Sequence, residues 1–432
     1  MGVKSRWPVL LAVAVVVLGL PGVVVARKAA TLRQLGTPVR LVTSDAPAPA
    51  PLPAGGDPIH WTVRPVGRVI DVAVLPARGL VIYVEEVAHR SWKATAVDAR
   101  TGEVRWSNAR SHTGHIEAWA ITDAAVVLAY HHSASRLAWR THRAASFEGI
   151  DPLTGKVLWA RPVYNLIGER PGDYAPTLVS PAENMVFART EFGVPNGIDT
   201  RTGETLWEYP GLNSCKPRAE DVVAGPGGVA ISQQCPKGKK RIALVHPHTG
   251  KAFWKASIAT PNLRILAVGT DSVAVYQGGL VQRLFILGPG GVATAEIPCD
   301  CGDGSTLTAG SLGGTVVAAG TGGRIGVGGV LFIGGPFGLL GADGATGTVL
   351  WQKPVAGGPV HKVLTQDGDA HIVSGDGALI HINPADGAMR VIVPASGGAL
   401  DPDAIVVPAS GYLAAGSAKG FSFSGPIGAG GV

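Results

Sequence analysis

The segment Asp-x-x-Thr-Gly-x-x-x-Trp recurs along the chain as Asp98…Thr101-Gly102…Trp106, Asp151…Thr154-Gly155…Trp159, Asp199…Thr202-Gly203…Trp207 and Asp343…Thr346-Gly347…Trp351. A variant, His246…Thr249-Gly250…Trp254, carries His in place of the acid. Successive Trp residues are 53, 48, 47 and 97 positions apart, the last close to twice 48. A fixed period of this length means that the chain is an array of one supersecondary unit, and it has to be read before any single residue.

Apolar runs precede each acid (Lys93-Ala-Thr-Ala-Val-Asp98, Arg241-Ile-Ala-Leu-Val-His246) and follow each Gly (Glu103-Val-Arg-Trp106, Lys156-Val-Leu-Trp159). Between them the Asp offers hydrogen bonds to the amides ahead of it, and Gly supplies the positive φ that such a turn needs. The motif therefore predicts a β-hairpin with a short loop. The residue two before the acid is often small (Ala96, Gly149, Gly197, Gly341), which predicts a close approach at that point. One Trp at the same strand position in every repeat predicts a ring packed between neighbouring repeats. Two more apolar runs precede each hairpin, for example His115–Ile121 and Ala125–Tyr130. Four short strands per 48 residues describe one propeller blade. No stretch after position 60 keeps a helical period, so a helical solenoid is excluded.

The pattern Ala/Gly-x-Asp-x-x-Thr-Gly-x-x-x-Trp resembles the repeat of the pyrroloquinoline-quinone (PQQ)-like propellers. That family includes quinoprotein dehydrogenases, the lipoprotein of the outer-membrane barrel assembly machine and many bacterial exported proteins. The resemblance covers roughly residues 58 to 426. Two copies have decayed. Near Ile286-Leu-Gly-Pro-Gly-Gly291 the Asp and Trp are missing, and at Asn383…Gly387…Val391 Asn replaces the acid and Val the Trp. The Trp-Asp pair of WD repeats is absent and Gly-His occurs once, at Gly114-His115, with no repeat; the Gly-Gly pairs are too irregular for a kelch array.

Trp61, Trp106, Trp159, Trp207, Trp254, the 295–297 region, Trp351 and Val391 mark outer strands and enclose seven units. Ile59–Val63 is a lone strand, and three unpaired runs follow Val391. Joining them closes the ring without an edge. The expected fold is an all-β, eight-bladed β-propeller preceded by one transmembrane helix. Seven blades is the alternative if Cys299–Val330 is a loop.

Trp7–Ala26 is twenty residues without a charge. At ~1.5 Å per residue it matches a hydrocarbon core ~30 Å thick. We read it as an uncleaved signal anchor behind a cytoplasmic tail, residues 1–6; the alternative is a signal peptide cleaved after Val24-Val-Ala26. A Pro/Ala-rich linker, 27–57, follows and includes the extended spacer Ala46–Pro53; the propeller is 58–426 and a Gly-rich tail is 427–432. Lys4 and Arg6 precede the span and Arg27, Lys28, Arg33 and Arg40 follow it. Charge alone would place the propeller in the cytoplasm; the family's habit of export and the cysteines argue for the extracytoplasmic side. Residues 1–60 carry +4 of the formal +6, so the propeller sums to near neutrality. Lacking a basic stripe with interleaved aromatics, it is not expected to bind nucleic acid.

Cys215 precedes the first strand of the fourth blade and Cys235 ends the second. Antiparallel neighbours bring those ends together, which makes a bridge geometrically reasonable. Cys299-Asp-Cys301 could be an internal disulfide, a redox pair or half a metal site. The even count in an exported chain favours two structural disulfides.

Of the twelve histidines, six lie between His89 and His142. His112, His115, His131 and His132 are the candidate metal ligands, against a reading as exposed loop residues. The quinone enzymes of the family use a carboxylate base, a calcium ion and a disulfide of adjacent cysteines. Here no cysteines are adjacent, and the acids are mostly committed to repeat turns. No catalytic residue is assigned and PQQ is not expected. No Gly-x-Ser-x-Gly elbow, phosphate loop or His-Glu-x-x-His is present. The expectation is a membrane-anchored, extracytoplasmic, non-enzymatic binding or assembly scaffold whose partner is an envelope or membrane protein. The alternative is a quinone- or metal-binding sensor or dehydrogenase using the propeller axis.

Overall fold

Asp98, Asp151 and Asp199 build the same turn. The Asp98 carboxylate accepts from the N–H groups of Arg100 and Thr101, Asp151 from Leu153 and Thr154, and Asp199 from Arg201 and Thr202. The Gly N–H then donates to the backbone carbonyl of the acid, as Gly102 does to Asp98 at 2.8 Å and Gly155 to Asp151 at 2.8 Å. Gly102, Gly155, Gly203 and Gly250 all have φ between 64° and 73°, as the turn requires. The chain leaves each turn into an outer strand with a bulge beside the loop, so that the Trp faces the next repeat.

The computed structural model describes residues 40–52, 59–88, 91–110, 116–131, 144–164, 185–189, 195–209, 215, 219–225, 228–236, 239–258, 262–268, 273–278, 282–298, 308–312, 315–319, 330–335, 338–343, 349–358, 360–366, 369–393, 405–409, 412–417 and 420–425. The chain is an all-β propeller in which seven blades follow one another in sequence. Blade one is Arg68–Leu75, Leu80–Ala88, Ser91–Asp98 and Val104–Arg110. Blade two is Ile116–Ile121, Val126–His131, Ala144–Ile150 and Val157–Tyr164. Blade three shows Met185–Arg189, Pro195–Asp199 and Thr205–Glu208. Blade four is Ala219–Gly225, Gly228–Gln234, Lys240–Val245 and Ala252–Ile258. Blade five is Leu263–Val268, Val273–Gln277, Arg283–Leu287 and Ala293–Pro298. Blade six is split into the pair Thr308–Leu312 and Thr315–Ala319 and the sheet Val330–Gly335, Gly338–Asp343 and Val349–Lys353. Blade seven is Val360–Gln366, Asp369–Ser374, Leu379–Ile382 and Met389–Val393.

A closing sheet joins both ends of the chain. Ile59–Val63 pairs antiparallel with Gly420–Gly425, which continues through Tyr412–Ser417 to Ile405–Ala409. This pairing of the ends is the one read from the sequence. The expected count of eight blades is not shown: the structure is a seven-bladed propeller, and among the described residues blade three has three strands and blade six is divided. First strands line the centre. Arg68–Leu75 borders Ile405–Ala409 and Ile116–Ile121, and Leu263–Val268 borders Ala219–Gly225 and Thr308–Leu312.

The core lies between blades. Each apolar cluster draws residues from two successive sheets, such as Leu80, Ile82 and Trp106 of blade one with Val126, Leu128 and Ile150 of blade two. Trp residues mark these seams. The Trp106 ring is 1% exposed, and a Cβ on Gly155 of the next repeat would come within 2.6 Å of it. Trp159 meets Gly203, Trp207 meets Gly250, Trp254 meets Gly291 and Trp351 meets Gly387 in the same way. The indole N–H donates to a carbonyl of the next turn: Trp106 to Pro152 at 2.8 Å, Trp159 to Thr200 at 2.7 Å, Trp207 to Pro247 at 2.5 Å and Trp351 to Pro384 at 3.2 Å. Trp61, in the closing sheet, rests on Gly102 and donates to Ala99. The small residue two before the acid is pressed by its own blade's Trp, as Gly149 is by Trp159 and Gly197 by Trp207.

The expected Pro/Ala spacer is not free over its described part. Arg40–Thr43 adds as a fifth, antiparallel strand outside Val104–Arg110. The chain then crosses the turns of blade one: Ser44 N–H donates to Arg105, Arg105 and Arg100 donate to the carbonyls of Pro47 and Pro51, and Leu52 N–H donates to Pro76. Leu52 is buried beside Val74, Val81 and Val97. The proline-rich stretch suits this place because it offers carbonyls to arginines while requiring few donors of its own. Burial alone would raise the Asp98 carboxyl, but the Arg105 guanidinium and the Arg100 and Thr101 N–H groups hold it below its ordinary value. The apolar span Trp7–Ala26 lies outside the described residues; among the described residues no helix is long and apolar enough to cross a membrane.

Trp106→Ala removes a ring that closes the seam between blades one and two, together with its bond to Pro152. Loss of about 3–5 kcal/mol is expected in urea unfolding; a loss below about 1 kcal/mol would show that the seam does not depend on this ring.

Candidate functional site

Ligand sites of propellers are sought where first strands meet, because those strands line the centre. Of the described side chains on first strands, Asp71 is the acidic one. It follows a bulge between Val69 and Asp71, which re-aims the strand. Burial pushes its carboxyl up to about 7; the Val72 backbone N–H and the Trp119 indole N–H of blade two oppose that rise. Burial thus disfavours the charged form of this carboxyl.

Other buried charges are paired and hold elements together. Glu85 accepts from Gly67 N–H at 2.8 Å and lies 3.1 Å from Lys93 Nζ. Arg110 of blade one pairs with Glu148 of blade two, both buried. Lys240 of blade four donates to the Leu263 carbonyl of blade five at 3.0 Å.

The residues singled out by sequence fall into three groups. Asp98, Gly102, Trp106, Asp151, Gly155, Trp159, Asp199, Gly203, Trp207, Gly250 and Trp254 make the turns and seams described above. Asp343 ends a strand and Trp351 joins a seam, while Gly347 lies outside the described residues. Cys215 and Cys235 form a disulfide, as expected from their strand-end positions. His112, His115, His132, Cys299 and Cys301 lie outside the described residues, and of His131 only its place at the end of a strand is described. Among the described residues no three His, Cys, Asp or Glu side chains converge as metal ligands. Sequence reasoning missed Asp71 because nothing in Arg68–Leu75 shows that a bulge and a neighbouring blade's Trp meet there.

The sequence profile of the family described as outer membrane protein assembly factor BamB matches residues 149–283 and 299–390, more than half of the chain. The chain belongs to this family of PQQ-like propellers. Among solved structures, BamB from Moraxella catarrhalis is 17% identical, with 84% of this chain and 98% of that one covered and a TM-score of 0.45. The computationally designed Ika8 protein is 13% identical, with 84% and 96% covered and a TM-score of 0.53; this likeness concerns the fold alone. No curated protein matches the chain.

Two outcomes check this site. A carboxyl raised on folding loses stability as pH climbs from its unfolded value near 4 through about 7, because the unfolded chain releases the proton first. Asp71→Asn is therefore expected to flatten the fall in stability between pH 4 and pH 8, read by urea melts across that range; an unchanged profile would place Asp71 in water. Alkylation before and after reduction should find Cys215 and Cys235 blocked until reductant is added, with reduction costing roughly 3 kcal/mol for a loop of this length.

Proposed function

We propose that the chain is a non-enzymatic protein-binding or assembly scaffold of the cell envelope, held at the membrane by Trp7–Ala26 with its propeller on the extracytoplasmic side. Membership of the BamB family carries this reading: the family is described as an assembly factor, and its repeats account for the Asp, Gly and Trp positions. Twenty uncharged residues support the anchor. The Cys215–Cys235 bond supports an oxidising compartment. The partner in this reading is another envelope or membrane protein, and nucleic acid is not bound. The closing sheet joins the chain ends, which makes the ring continuous and leaves loops and outer edges as binding surface. A scaffold of this kind acts by geometry: it presents several surfaces on one rigid frame and needs no proton transfer or bound ion.

Affinity capture of the full chain from detergent-solubilised membranes, followed by mass spectrometry, is expected to recover one reproducible envelope partner. The pure protein incubated with quinone and calcium should show no dye-linked alcohol or sugar dehydrogenase turnover. Quinone-dependent turnover would overturn the scaffold reading.

A further inference from the structure

Blade four differs from its neighbours in charge. Residues 219–258 hold six Lys and Arg against Glu220 and Asp221, a balance of +4. Residues 61–432 together carry only +2, so outside this blade they carry −2. The near-neutral sum thus averages one basic blade against a slightly acidic remainder.

The outer strand Ala252–Ile258 turns Trp254, Ala256 and Ile258 toward blade five. Phe253, Lys255 and Ser257 alternate with them and are exposed, as is Lys251 just before the strand. Arg241 lies opposite Ser257 and donates to its Oγ at 3.2 Å; Lys239, two residues earlier, is exposed. The Phe253 ring is 55% exposed and stands 5.5 Å from His246. His246 replaces the repeat acid. Its Nδ1 accepts the His248 N–H at 3.1 Å, so the turn survives while a negative charge is removed. At the matching places in blade three stand Glu204, Leu206 and Glu208 instead of Lys251, Phe253 and Lys255.

The edge itself is open. Among the described residues no strand pairs with the outer side of Ala252–Ile258. In blade one the equivalent edge takes the antiparallel strand Arg40–Thr43, and Arg105, at the position of Phe253, donates to the Pro47 carbonyl of that added chain. The fold therefore accepts an extended segment at this place on its own first blade.

We propose that the outer edge of blade four is a docking strip for an acidic, extended segment of a partner protein. The segment adds as a strand beside Ala252–Ile258, sets its carboxylates against Lys251, Lys255 and Arg241, and lays an apolar side chain over Phe253. Seven strand residues give it a length of about 23 Å. One exposed ring provides no stacking series, so a protein segment fits better than a single-stranded nucleic acid. This inference rests on the scaffold reading and names the partner's chemistry.

The test uses the full chain in detergent and a fluorescent twelve-residue peptide alternating Glu and Val, followed by fluorescence anisotropy. Salt-sensitive binding is expected, with slower hydrogen exchange over residues 252–258. The double variant K251E/K255E should weaken binding at least tenfold and F253A several-fold, with urea midpoints unchanged because all three side chains are exposed. No binding by the unaltered chain, equal binding by the double variant, or tighter binding of a matched Lys-Val peptide or an oligothymidine would overturn the proposal. If any of these occurs while membrane capture still recovers a partner, the strip is lost and the scaffold reading stands; failure of both removes both.

Discussion

The propeller depends on one contact made at six of its described seams: the Trp of one outer strand lies on the Gly of the next repeat's turn. A buried indole contributes on the order of 4–6 kcal/mol of gross apolar stabilisation. That is available only if the neighbouring turn lets the ring approach its backbone. Gly155 does so because it has no Cβ, and its φ of 69° suits few other residues. The same contact positions the indole N–H against the carbonyl that follows the acid. Turn chemistry, side-chain size and seam packing are therefore coupled, and the five elements of the motif cannot vary independently.

The seams tolerate loss of parts of the motif in a definite order. His246 and Asn383 replace Asp because an imidazole nitrogen or an amide oxygen also accepts from the turn amides, as the bonds to His248 and Ala385 show. Near residue 288 the acid is gone, yet Gly291 keeps a positive φ and still receives Trp254. What survives longest is the glycine under the ring, because the steric requirement has no substitute and the hydrogen bond has several.

Surface chemistry follows a different logic. The two faces of an outer strand answer to different neighbours: one holds the Trp at the seam, the other is open to solvent and free to differ from blade to blade. Blade one uses that freedom to bind its own chain, through Arg105 and the prolyl carbonyls. Blade four has become basic there, and blade three acidic. A scaffold built from repeats gains specificity in this way without disturbing the packing that closes the ring.

Much of the fold was legible in the sequence, because each turn and seam is made by residues at fixed offsets from one another. Asp98, Gly102 and Trp106 announce the hairpin, and the lone Trp61 strand announces closure by the chain ends. The Cys215–Cys235 bridge was legible for the same reason, since it joins neighbouring strand ends. Three things were decided only by tertiary structure. Ala46-Pro-Ala-Pro has the composition of a spacer, and only the arginines of blade one, brought across from sixty residues away, make it a strap. Asp71 is an unremarked strand residue until a bulge and Trp119 of another blade surround it. The basic edge of blade four is diluted to neutrality in any sum over the chain, because charge adds along a sequence without regard to which side of a strand it faces. Local turns need only neighbouring residues, whereas burial of a carboxyl, capture of a strap and the gathering of charge on one face require the ring to be closed first.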